Sequence, residues 1–339
     1  MTASSGNLLT TLLDILFALF GKKQPSNKPT VPADSTTEPV QMVTSRVLLI
    51  VYDPVMDPVT GKILSQQQGW EQVDDLTSAF MADILQVSGG LGRYQIIQRI
   101  DVAEFPVKKD GGCYTPSTYL DVLHGAAPPH TPQEVDYQAI LTQFNILQRV
   151  ADNKIDEVWV FAFPHAGFYE SIMGGRGAFW CNAPVLKNTS QCPRRFVLMG
   201  FSYERGVGEM LESFGHRAES IMTKTFERLS GDANLWQRFT RYDKIASGRA
   251  EVGNIHFAPN SKQDYDWNNP RMVASNCYDW YNFPNFTSDV RQVNASEWGS
   301  GNIRLHHQWW LKHIPKVAGR INGIHNNWWQ YIMDPNRVA

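Results

Sequence analysis

Residues 195–222, RFVLMGFSYERGVGEMLESFGHRAESIM, decide how the rest of the chain is read. The stretch opens on an apolar run, Phe196 to Phe201, with the character of a buried strand. Gly206 and Gly208 then loosen the backbone, and a helical pattern takes over. Val207, Met210, Leu211, Phe214, Ala218, Ile221 and Met222 make its apolar stripe. Another edge of the same helix carries Glu209, Glu212, His216 and Glu219, at i, i+3, i+7 and i+10. Like charges at such spacings destabilise a helix by about a few tenths of a kcal/mol per pair. The pattern therefore predicts a compensating partner: a cation, arginines or a shared proton. A Glu-x-x-x-His-x-x-Glu edge offers ligands to a divalent ion or groups for acid–base chemistry. The bland alternative is a solvated helix face with Arg205 and Arg217 beside it.

Working outward, residues 46–52, RVLLIVY, read as a buried strand that Asp53 and Pro54 end. Residues 73–87 carry a helical pattern, 95–102 a strand, 137–151 a helix and 157–163, EVWVFAF, a third strand. Strands alternating with helices predict an α/β fold with a mostly parallel sheet and flanking helices. Beyond Arg228 the texture turns to Gly, Asn and Trp, and eight of the eleven tryptophans lie after residue 230. That half is expected to be a loop-rich, Trp/Asn-rich C-terminal elaboration folded back on the sheet. The organisation reads as an apolar segment (1–21), a Pro/Ser/Thr linker (22–43), an α/β core (44–230) and the elaboration (231–339).

Charge excludes some partners. With a net charge of −2 and only 19% charged residues, the chain has no electrostatic case for nucleic acid. Its polarity comes from Asn, Gln, Ser and Trp, a palette suited to neutral, hydroxyl-rich ligands. Residues 8–20, LLTTLLDILFALF, are too few for a comfortable membrane span and include Asp14. They fit a signal-peptide core, an uncleaved anchor, or an amphipathic helix docking on the body, a membrane or a partner. Followed by the linker, they predict a secreted or surface-tethered protein. Cys181 and Cys192 bracket a loop of ten residues and are expected to form a disulfide in an oxidising compartment.

Ligands of open α/β sheets bind outside the carboxyl ends of the strands. Here those ends carry Asp53, then His165, Tyr169 and Glu170, then Tyr203, Glu204 and Arg205. A second set surrounds His256 in GNIHFAPN and includes Asn260, Tyr265 and Trp267. The assignment is Glu204, Glu209, Glu212 and His216 as catalytic groups. Asp53, His165, Tyr169, Glu170, Tyr203, Arg205, Asn260 and Trp267 are expected to bind substrate. His216, Glu212, Glu219 and His256 are candidate ligands for zinc or calcium. GxSxG, GxGxxG, GxxxxGK and HExxH patterns are all absent.

YERGVGEMLESFGHRAESIM, HFAPNSKQDYDW and HHQWWLKHIPKVAGRINGIHNNWW resemble segments of a family of uncharacterised, mostly secreted bacterial and fungal proteins. The resemblance spans most of residues 46–336. Some members are joined to carbohydrate-binding modules. It implies an exported α/β domain in a glycan context and supplies no reaction or catalytic residue.

Two functions follow as expectations. One is a hydrolase of a glycan or cell-surface polymer, working through two carboxylates or through a metal-activated water. Exposed tryptophans would stack on sugar rings in that case. The other is a non-catalytic carbohydrate-binding or surface-structural protein. Location separates them, because catalytic carboxylates sit on a cleft floor while structural ones are buried and saturated.

Overall fold

A computed structural model describes residues 33–34 and 38–339. The first half contains β1 (Ala33–Asp34), β2 (Val43–Tyr52), β3 (Val55–Asp57), β4 (Lys62–Ile63), α1 (Leu64–Gln68), α2 (Val73–Val87) and β5 (Gly92–Val102). Next come α3 (Pro116–Leu123), α4 (Tyr137–Gln143), α5 (Ile146–Ala151), β6 (Glu157–Ala162), β7 (Ser171–Gly174), β8 (Phe196–Ser202) and α6 (Val207–Thr225). The rest comprises α7 (Leu235–Phe239), β9 (Val273–Ser275), β10 (Arg291–Val293), α8 (Ile303–Lys312), β11 (Lys316–Ile321), β12 (Ile324–Asn327) and α9 (Trp329–Met333), joined by loops and single 3-10 turns.

The fold is mixed α/β around a five-stranded sheet of order β5-β2-β6-β8-β7. All neighbours are parallel except β7, which runs antiparallel to β8 at the edge. The middle strands carry long apolar runs because helices and loops cover both faces; residues 47–52, 158–161 and 196–199 are all buried. The expected helix 137–151 is two helices. Asn145, at φ 49°, adopts a left-handed conformation that ends one turn and starts the next.

Helix α6 buries the predicted stripe from Met210 to Met222, with Val207 half-buried at its first turn. Arg217 goes down with it, fully buried, and its Nη1 lies 2.5 Å from Glu157 Oε1 at the start of β6. Glu157 also accepts from Ser45 Oγ and Trp159 Nε1. Arg217 therefore anchors the helix to the sheet and is no solvated neighbour of the Glu/His edge. Two helix glycines permit close approach from the second half of the chain. A Cβ at Gly208 would sit 2.5 Å from Ile303 on α8, and one at Gly215 would sit 2.3 Å from Ile255. The second contact fixes the segment that carries His256.

Several expectations are corrected. Eight of the eleven tryptophans are buried, and Trp236, Trp280, Trp310 and Trp328 pack with Phe239 and Phe283 at ring separations of 5.0–6.2 Å. They belong to the same continuous apolar core as the sheet and do not form a platform for sugars; Trp180 alone is mostly exposed, at 60%. All four cysteines are free thiols, so the Cys181–Cys192 disulfide is not formed. Cys181 Sγ lies against Ser171 Oγ, while Cys192 Sγ faces the Arg194 carbonyl. The body also begins before residue 44. β1 pairs with β11, Glu38 meets Arg320 and His325, and Gln41 accepts from Asn327 and Arg337. The apolar segment 8–20 lies outside the described residues. No helix among those described is long and apolar enough to cross a membrane.

Candidate metal centre

The loops after β6 and β8, with the first turns of α6, enclose a cleft of roughly 330 Å³. His165, Glu170, Glu204, Arg205, Glu209 and Ser213 contribute its polar wall. The loop after β6 is pinned from below by Lys108, whose Nζ donates to the carbonyls of Gln133, His165 and Ala166 at 2.9, 2.6 and 2.8 Å. Burial pushes this lysine down to about 8, and three carbonyl acceptors match the three donors of its ammonium form.

Beside the cleft, the Glu/His edge of α6 meets the loop between α7 and β9. His256 Nε2 lies 3.0 Å from Glu212 Oε1, and His216 Nε2 lies 4.0 Å from the same oxygen. The two imidazoles meet edge to face, with centroids 4.6 Å apart. Ligand atoms of Glu212, His216 and His256 all fall within 4.8 Å of one another, close enough to converge on one metal ion with small side-chain movements. Each imidazole is held from behind. His216 Nδ1 is 3.1 Å from Glu219 Oε2, and His256 Nδ1 is 2.9 Å from Asp264 Oδ1. Glu219 is itself fixed, because its Oε1 accepts the Ile255 backbone N–H at 3.1 Å. Carboxylates behind ligating histidines set the tautomer and orient the ring. With each Nδ1–H given to a carboxylate, a neutral His256 aims its Nε2 lone pair at Glu212, and a neutral His216 aims its own between Glu212 and Glu170. Two lone pairs and a carboxylate oxygen converge stably only around positive charge.

Without a metal, protons supply that charge. Burial disfavours charge on His216, but the bond to Glu219 and the fields of Glu170 and Glu212 outweigh it and raise its pKa. His256 behaves likewise: burial opposes its charge and Glu212 and Asp264 restore it, leaving its pKa raised. Burial also opposes ionisation of Glu212, yet hydrogen bonds with His256 and Tyr265 hold its carboxyl below the usual range. Two imidazoles and one carboxylate suit zinc and its neighbours far better than calcium, which takes six or more oxygens.

Of the assigned residues, the structure brings together Glu212, His216 and His256, and sets Glu170, Glu204, Glu209, His165 and Arg205 along the adjoining cleft. Glu170 links the two, with Oε2 3.8 Å from His216 Nε2 and accepting from Asn182 Nδ2 at 2.6 Å. Glu219 positions His216 and points away from the Nε2 side. The remaining assigned residues lie away from this cluster. Asp53 caps α1 through the N–H and hydroxyl of Ser65. Tyr203 is buried and donates to the Tyr52 carbonyl. Tyr169 stacks on Tyr137 over a separate depression with Ile172 and Pro184. Asn260 is buried, its amide tied to the carbonyls of Asn269 and Arg271. Trp267 lies behind the site, donating to the His256 carbonyl and stacking on buried His306. Asp264 and Asn182 were not predicted; the Nδ1 partner of a loop histidine has no sequence signature. Compared with known proteins, the chain matches no family model, no curated protein and no solved structure.

Proposed function

We propose that the protein is a metal-dependent hydrolase, with a zinc-class divalent ion held by Glu212, His216 and His256 at one end of the cleft. One observation carries this reading: His256 Nε2 meets Glu212 and His216 Nε2 faces the gap between Glu212 and Glu170, while Glu219 and Asp264 hold the two Nδ1 atoms. A bound ion of this class supplies an acidified water and polarises a carbonyl oxygen. Glu170 stands between the centre and the cleft, half-buried and steadied by Asn182, where it can take a proton from an attacking water and pass it to the leaving group. The metal route is preferred to a two-carboxylate glycosidase because Glu212, His216 and His256 converge from two segments within 4.8 Å of one another. The bond that fits is an acyl linkage, an amide or ester. The cleft carries Glu170, Glu204 and Glu209 against Arg205, so it suits neutral or cationic chains better than phosphate. A glycan or cell-surface polymer bearing acyl groups meets that description. Export remains part of the proposal, supported by the N-terminal layout and without the support of a disulfide.

The test is metal analysis of purified protein, followed by hydrolysis assays on acylated glycans and on peptides, with His216→Ala alongside. One equivalent of zinc and metal-dependent release of an acid support the reading. No stoichiometric ion, or hydrolysis untouched by chelation, rejects it.

A further inference from the structure

The three ligands leave a fourth position, and one side chain already reaches it. Tyr265 Oη lies 2.8 Å from Glu212 Oε1 and 3.3 Å from His256 Nε2. Zinc sits about 2.0–2.2 Å from nitrogen and oxygen ligands, so tetrahedral ligand atoms lie roughly 3.3 Å apart. The edges Tyr265–Glu212, Glu212–His256 and Tyr265–His256 measure 2.8, 3.0 and 3.3 Å, one triangular face of such a tetrahedron. His216 Nε2 stands farther off, 4.0 Å from Glu212 Oε1 and within 4.8 Å of the His256 ligand atom, so the fourth vertex is reached only when that ring moves inward.

The loop is built to deliver this hydroxyl. Tyr265 has φ 55°, a conformation that side chains rarely adopt and that tends to persist where it serves a site. Its ring packs on His256, with centroids 4.5 Å apart, and edge-on against buried Trp267 at 5.1 Å. Yet the residue is 51% exposed, on a loop whose residues 262–265 all face solvent. A side chain so placed is held by the site and free to leave it outward.

We infer that Tyr265 is a displaceable fourth ligand of the metal centre. The inference rests on the metal reading above. Its phenol oxygen binds the ion and its proton passes to bulk water; a substrate carbonyl or an attacking water takes the same position when the ring swings out and regains a proton. The resting centre is closed, as structural zinc sites are, and opens only to a competing ligand.

Copper(II) added to the full-length protein tests this by colour. The expected result is one bound equivalent with a phenolate-to-copper charge-transfer band in the visible. Tyr265→Phe should bind one equivalent without the band, and acetohydroxamate, a bidentate ligand, should bleach it in the wild type. Stoichiometric copper without a band, or a band that survives in Tyr265→Phe, overturns the ligand assignment and leaves the metal reading standing. A band that persists at saturating hydroxamate overturns displacement. Failure of the wild type to bind copper more tightly than His216→Ala sinks the metal reading, and this inference with it.

Discussion

Asp264→Ala isolates the proposed metal centre from the fold. Asp264 is half exposed, at 53%, and its ion pair is with His256 Nδ1 at 2.9 Å. In metal-free protein such a pair is worth about 0–1 kcal/mol. If Asp264 orients a ligating imidazole, its loss should weaken metal binding about 10–100-fold. That ratio corresponds to roughly 1.4–2.7 kcal/mol of binding free energy. At a fixed metal excess, the same amount is lost from the stabilisation that binding confers. An unfolding entropy of about 2.1 cal/mol/K per residue gives roughly 0.6 kcal/mol/K for some 300 ordered residues. The metal-saturated Tm should therefore drop by about 2–4 °C more than the Tm measured in chelator. Competition against a chromophoric chelator gives the affinity, and paired melts with zinc or EDTA give the shift. An unchanged affinity, or an equal Tm drop in both melts, would refute the orienting role of Asp264 and the reasoning that builds the centre.

Four further outcomes are expected. His216→Ala should lose bound metal and hydrolysis together while the metal-free fold survives, as metal analysis, assay and circular dichroism would show; a fully active variant would remove this helix edge from the reaction. Glu170→Gln should lower kcat by about 10²–10⁴-fold with metal content unchanged, and loss of metal in that variant would make Glu170 a ligand instead. His216 and His256 have pKa values raised above the ordinary 6.5, so their contribution to metal-free stability is complete below 6.5 and fades as pH rises through the raised values. Metal needs the same nitrogens unprotonated, so the Tm gain from zinc should grow from about pH 5.5 to about pH 8; a gain that shrinks contradicts the ligand set. Arg217→Met strands Glu157 as a buried charge and should cost about 3–5 kcal/mol, visible as an earlier denaturant midpoint with metal content near normal after refolding.

Much of this was legible in the chain. The runs 46–52, 157–163 and 196–201 declare buried strands because both of their faces are covered. The spacing of Glu212 and His216 places two candidate ligands one turn apart without any tertiary knowledge. His256 emerged as a polar group in an apolar-flanked loop. Other parts were hidden for physical reasons. β7 is four residues, SIMG, too short to show a period and apolar only because α6 covers it. Whether Glu219 binds metal or steers His216 depends on a rotamer. Asp264 looks like any surface aspartate until the loop turns at Tyr265. Tyr203, Asn260 and Trp267 are residue types that bind ligands when exposed and hydrogen-bond their own backbone when buried; burial decides between them, and burial is a property of the whole fold. The tryptophans misled for the same reason.

Two of the proposed ligands ride on α6, which Arg217 bolts to the sheet, whereas His256 and Tyr265 come from one surface loop. The two halves of the centre therefore differ in how freely they can vary. Residues 262–264 are exposed and can be exchanged or lengthened without disturbing the apolar core. Each such change would alter how long the loop stays shut over the ion, and hence how quickly the ion exchanges with solvent. A single scaffold could in this way drift between a protein that keeps its metal for its lifetime and one that surrenders it readily, with only a few loop substitutions separating the two.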